Sequence, residues 1–223
     1  MGQLEAHDAF DVYIFCFSEH EPDDYDGKLS MWRGYGANGS GATIVFDTNK
    51  IDPVDDSPLS IAPVSYATRE ERLEWINKKI DQLSSIIERV DFEKAYAHDL
   101  AWYFFSRLIV FALHTKHKGF EEEREWRLVY IKKFDEANLA GQMLDYFIGQ
   151  NGVEPKLKLD LKSAPGLVSS SFRIEESIDR IILGPTVASP LSRMAFIRML
   201  ENLNLGSLKE KVYTSSIPYR SRG

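Results

Sequence analysis

The chain has 223 residues, 43% of them hydrophobic, and carries 34 acidic against 27 basic side chains for a net charge of −7. A chain of this size buries enough apolar surface to fold without disulfides or metals, and its single cysteine excludes an internal bridge. The acidic balance argues against broad, sequence-independent nucleic-acid binding, because phosphate backbones repel such a surface.

Met1 to Asp11 is polar and acidic and shows no targeting leader. The longest apolar run, Leu100 to Leu113, is too short for a membrane span and holds Ser106 and Arg107. The expected setting is therefore cytoplasmic, with no membrane partner. Asp11 to Phe17 is apolar, aromatic and β-branched. It reads as a buried strand, with Cys16 as a small buried hydrophobe rather than a reactive thiol. An acidic loop, Ser18 to Lys28, leads to MWRGYGANGSG and then to a strand at Ala42 to Asp47. The glycines of that segment permit positive φ and close backbone approach.

Asn49 to Pro63 reads as a connection rich in proline and aspartate. Thr68 and Glu71 form a capping box ahead of an amphipathic helix. Its stripe is Leu73, Ile76, Ile80, Leu83, Ile87 and Val90, at steps of three and four. A second helix runs from about Asp91 to Lys116. It is apolar on most sides after Leu100, so it is expected at the centre of the fold. In FEEEREWRLVYIKK the latter half alternates as a strand does. Trp126, Leu128 and Tyr130 fall on one side, and Glu123, Glu125 and Arg127 on the other.

Asp135 to Pro155 is irregular, with a short helix around Met143 to Phe147. Strand-like pieces follow at Lys156 to Leu161 and Gly166 to Phe172. Ile178 to Leu183 is a strand, broken by Gly184-Pro185. Ser189-Pro190 caps and starts a helix to about Leu203, and Lys211 to Ser215 is a last strand. This order predicts an α+β fold: a mixed, mainly antiparallel sheet packed with a long helical pair and a C-terminal helix. A single domain over 1–223 is expected, with the helical pair at 68–117 inserted between strand segments.

Three separated segments carry a resemblance. They are CFSEHEPDDYDGKLSMWRGYGANGSGATIVFD, KHKGFEEEREWRLV, and IDRIILGPT with the terminal VYTSSIPYR. Together they resemble the bacterial domain-of-unknown-function 2971 family, with its Trp-Arg-x-Tyr, Glu-x-Glu-Trp-Arg, Gly-Pro and Pro-Tyr-Arg motifs. Members of that family commonly carry an upstream segment with a Tyr-His-Tyr-Thr-like strand, whereas this chain begins directly before the Phe-Ser strand. The order of motifs is more distantly similar to that of ADP-ribosyltransferase domains. What the resemblance implies is an ADP-ribosyltransferase-like, NAD-binding domain in a bacterial defence or toxin setting. The alternative is a non-catalytic binding or regulatory module of the same family.

Under the first reading Glu125, and after it Glu123, is the catalytic carboxylate. ADP-ribose transfer passes through an oxocarbenium-like ribose, which a carboxylate stabilises. The plainer reading is a solvated surface charge run in which Glu125 pairs with Arg127 across the same strand face. Ser18, Trp32, Arg33, Tyr35 and Arg127 are the candidate cofactor-binding residues. The rings would stack on a base or nicotinamide, Arg33 would hold a phosphate, and glycine amides would approach phosphate oxygens. The spacing of Gly34, Gly36, Gly39 and Gly41 fits neither the Walker nor the dinucleotide fingerprint, and Trp32 reads as core. His114 and His117 read as helix-end residues rather than metal ligands, so no metal is expected. NAD is the implied substrate, and the partners are a small-molecule nucleotide or a protein.

Overall fold

A computed structural model describes residues 11–51, 54–55, 57–89, 96–150, 152–160 and 166–220. Val90, the expected helix start near Asp91, the polar stretch before Asp11 and Leu161 lie outside the described residues. In chain order the elements begin with β1 (Val12–Ser18), α1 (Leu29–Gly34), β2 (Ala42–Phe46), β3 (Leu59–Pro63) and β4 (Ser65–Ala67). The helices α2 (Arg69–Arg89) and α3 (Ala97–Leu113) follow, then β5 (Thr115–His117) and β6 (Glu125–Ile131). Last come β7 (Leu144–Gly149), β8 (Gly152–Leu157), α4 (Ile174–Ser177), β9 (Ile178–Leu183), α5 (Pro190–Asn202) and β10 (Val212–Thr214). The fold is α+β, as its sequence predicts, and its contacts divide into two compact units.

One unit comprises His20–Pro58 and Ile131–Gly223, with the residues through Asp11. Its sheet runs β10-β9-β2, with β9 parallel to β10 and antiparallel to β2. The apolar run of β9 fills the core: Ile178, Ile181 and Leu183 pack with Leu200 of α5, Leu208 and Val212. Ser189 caps α5 through its side chain with Pro190 in the first turn, as expected, so the amide of Ser192 is already bonded. Arg180 pins the acidic loop. Its guanidinium donates to the carbonyls of Pro22 and Asp24 and lies 4.1 Å from the Tyr25 ring centre. The β7–β8 hairpin replaces the short helix expected at Met143 to Phe147, because only Gly141–Met143 takes a helical turn, a 3₁₀ one. Gly166 to Phe172 forms turns rather than a strand, since Gly166 takes a φ of 85° that breaks extension.

The second unit comprises Val12–Glu19 and Leu59–Tyr130. Its main sheet runs β1-β6-β3, and β4 pairs parallel to β5. The connection expected up to Pro63 ends instead in β3, which runs antiparallel to β6 with Ile61 opposite Leu128. The capping box forms as expected: the Thr68 amide donates to Glu71 at 2.7 Å, and the Glu71 amide to the Thr68 hydroxyl at 3.2 Å. Trp75 of α2 stacks on Phe111 of α3 at 3.8 Å.

Two expectations are corrected here. No residue of α3 is buried, and Trp102, Tyr103 and Phe105 are exposed, because no described element covers that side of the helix. β1 is an end strand rather than an interior one, so Ile14, Phe15 and Cys16 are exposed. Among the described residues no helix is long and apolar enough to cross a membrane.

Candidate functional site

The residues of the EREWR segment gather around one carboxylate. β6 starts at Glu125 because Arg124 takes a left-handed φ of 45°, which ends the 3₁₀ helix Lys118–Glu123. Glu123 therefore sits on that helix and not on the strand, where alternation had placed it beside Glu125. The two carboxylates converge all the same. Lys116, on β5, sets its ammonium 2.5 Å from Glu123 Oε2 and 2.9 Å from Glu125 Oε2. Arg127 stands on the same strand face as Glu125. Its Nε donates to Oε1 at 2.7 Å and its Nη2 to Oε2 at 3.3 Å. Its Nη1 donates to the Leu113 carbonyl at the end of α3.

The backbone around the carboxylate is held equally firmly. The Tyr66 phenol accepts the Glu125 amide at 2.7 Å, and the Ser18 hydroxyl donates to the Glu123 carbonyl at 2.5 Å. Glu125 is 5% exposed, so the charge run is not the solvated surface its plainer reading expects, although Glu125 does pair with Arg127, because Lys116 and Arg127 close over the carboxylate. Its burial disfavours the charge, but hydrogen bonds from Arg127, Cys16 and Lys116 outweigh that and hold the carboxyl at about 2. Burial acts against the Lys116 charge in the same way, and hydrogen bonds to Glu123 and Glu125 reverse it, so the ammonium titrates well above its usual range. Cys16 is exposed rather than buried, yet its thiol is pushed up to about 11. Lost solvation comes first, then the hydrogen bond and charge of Glu125. The cluster is thus two acids matched by two bases, with both Glu125 oxygens bonded.

In the other unit, Trp32 is 2% exposed and its indole donates to the Asp26 carbonyl at 2.8 Å. That ring is the core residue its sequence predicts. A Cβ on Gly36 would meet it at 2.6 Å, so only glycine lets the loop close over it. The glycine amides are consumed internally: Gly36 donates to Met31, Gly39 to Trp32 and Gly36, and Gly41 to Gly36. Those amides are therefore not presented to a phosphate. Gly184 lies so close that its Cβ would come 2.2 Å from the Gly39 carbonyl, and its amide donates to Gly41. Tyr219, of the terminal PYR motif, borders Gly39 as well, so all three motif-bearing loops of this unit meet there. Asp26 also binds the Ser216 amide at 2.5 Å. On this fixed base Arg33 and Tyr35 stand exposed, Tyr35 at 68%.

His114 and His117 turn to the backbone, toward the Val110 carbonyl and the Gly119 amide. Among the described residues no group of His, Cys, Asp and Glu is placed to hold a metal ion. Sequence reasoning missed Lys116, Tyr66 and the link from Cys16 to Glu125. Lys116 reads as part of a basic turn, and nothing local signals that β4 and β5 pair and bring Tyr66 and Lys116 to the start of β6.

Residues 31–128 match a family described as a protein of unknown function (DUF2971). No curated protein and no solved structure matches the chain. The matched span holds Trp32, Arg33 and Tyr35 at one end and the EREWR strand at the other, and over that span the chain is similar to the DUF2971 family of proteins of unknown function.

Proposed function

We propose that this domain is a non-catalytic nucleotide-binding module that works through Arg33 and Tyr35. The carrying observation is that both side chains are exposed, Arg33 in the last turn of α1 and Tyr35 at its C-cap, where Trp32 and the bonded amides of the following loop hold the backbone. A guanidinium matches a phosphate in a bidentate way, and a phenol ring stacks on a base at little entropic cost because its support is fixed. The Glu125 cluster is a structural staple on this reading, since its charges already cancel. Isothermal titration with NAD and with ADP-ribose tests it. Binding without turnover is expected. Arg33→Ala and Tyr35→Ala should each weaken it about tenfold, a loss of ~1.4 kcal/mol, whereas Ser40→Ala, an exposed change on the same loop, should not. Absence of binding to both ligands refutes the proposal.

A second reading is an ADP-ribosyltransferase-like enzyme, favoured by one observation. Glu125 is held ionised at about 2, with a second carboxylate on the same ammonium. A permanently negative group suits an oxocarbenium-like ribose and suits no general acid. Catalysis would require a ligand to displace Lys116 or Arg127 from it. The readout is release of nicotinamide from NAD. Turnover by the native chain that Glu125→Gln abolishes, with folding intact by circular dichroism, would establish the enzyme in place of the module.

A further inference from the structure

β1 ends its sheet, and its direction against β6 is fixed by two backbone bonds. The Lys132 amide donates to the Asp11 carbonyl, and the Glu19 amide to the Arg124 carbonyl. The strands are therefore antiparallel with no net slip between those bonds, and the Tyr13–Tyr130 ring contact falls in the same register. In such a ladder alternate residues bond the neighbour, so Asp11, Tyr13, Phe15, Phe17 and Glu19 face β6. The amides and carbonyls of Val12, Ile14, Cys16 and Ser18 then point away from the sheet. Among the described residues β6 is the one strand beside β1. The strand VYIFCFS has no proline and no charged residue, and Ile14 and Phe15 are 44% and 60% exposed. Natural edge strands are blunted by charge, proline, bulges or a cover, and this one shows none of these among the described residues.

We propose that a second copy of this chain occupies the edge, β1 against β1 in antiparallel pairing about Phe15. That register alone uses all four outward residues: Val12 faces Ser18 of the second copy and Ile14 faces its Cys16, each pair exchanging both hydrogen bonds. Phe15 then meets its own equivalent at a closely spaced position, and Tyr13 meets Phe17, so aromatic pairs lie across the seam. Charge fits the same arrangement. The seven central residues are uncharged, and each end brings an acid with its own cation, Asp11 with Lys132 and Glu19 with Arg124. The acids that meet across the two-fold axis are thus already neutralised. Each copy still carries a net charge of −7, so added salt tightens the pairing by screening that repulsion. This proposal is independent of Arg33, Tyr35 and any nucleotide.

Light scattering on the full chain at about 50 µM and 0.15 M salt tests it, and a dimer mass is expected. Ile14→Pro deletes an outward amide and leaves the β6 ladder intact, so it should weaken dimerisation at least tenfold with the circular dichroism spectrum unchanged. Phe15→Cys in a Cys16→Ser background places two thiols at a separation a disulfide spans. Under oxidised glutathione it should run as a covalent dimer, while Ser60→Cys in the same background, on β3, should stay monomeric. A monomeric native chain overturns the proposal. So does a dimer that survives Ile14→Pro and leaves Phe15→Cys unlinked, since its interface then lies elsewhere.

Discussion

Glu125 shows how far a single carboxylate is determined by what surrounds it. Two cations and a thiol converge on it while the Tyr66 phenol accepts the backbone amide of the same residue, and removing its charge leaves Arg127 without a partner of opposite sign at that position. Glu125→Gln is expected to cost ~3 kcal/mol, in line with breaking a buried ion pair, as read by urea unfolding. The thiol offers a milder test. Because lost solvation, and after it the hydrogen bond and charge of Glu125, push Cys16 up to about 11, alkylation by iodoacetamide at pH 8 should be slower than for free cysteine. It should quicken in Glu125→Gln. The same rate in both proteins would deny the link. At this scale the sequence reading was half successful. Alternation put Glu125 and Arg127 on one face correctly, because period two is a property of any strand. It put Glu123 there too, and one left-handed residue, Arg124, undoes that.

At the scale of elements, what is legible is what is local. The capping box, the Ser189-Pro190 start and the uninterrupted run of β9 each rest on residues a few positions apart, and all three stand as expected. Thr68→Ala should cost about 1 kcal/mol in thermal or urea unfolding, since it strips the cap from α2. The strands that escape a sequence reading include β7, which stands where a short helix is expected, and β3, β4 and β5, which are short and defined by partners far along the chain. The exposure of Ile14 and of Trp102 was equally invisible. An apolar run reports that a segment is worth covering, not which neighbour covers it. The convergence of Lys116 and Tyr66 at β6 belongs to the same class, because a parallel pair has no signature within either strand.

For the whole molecule, pH is the simplest lever. Glu125 falls from an ordinary carboxylate value near 4.5 when unfolded to about 2 when folded. Its contribution is therefore complete above about pH 5 and disappears as pH falls from 4.5 through 2. Stability should decline steeply over that interval, and Glu125→Gln should flatten the decline; an identical acid transition in both proteins would remove Glu125 from the cause. Above that interval the chain crosses its isoelectric point near 5.3, where self-repulsion is least and solubility should be lowest. The unit that holds Trp32 is built from two distant stretches of chain, and that has a consequence for synthesis. Asp26 waits for Ser216, 190 residues later, and Gly39 waits for Gly184. At ~5–20 residues per second the ribosome takes roughly 10–40 s to deliver that partner. Through that interval the Trp32 loop has left the tunnel without the residues that close over it, so a protease pulse on stalled nascent chains should cut there until Ser216 has emerged, and the newborn protein depends on whatever shields an unfinished core.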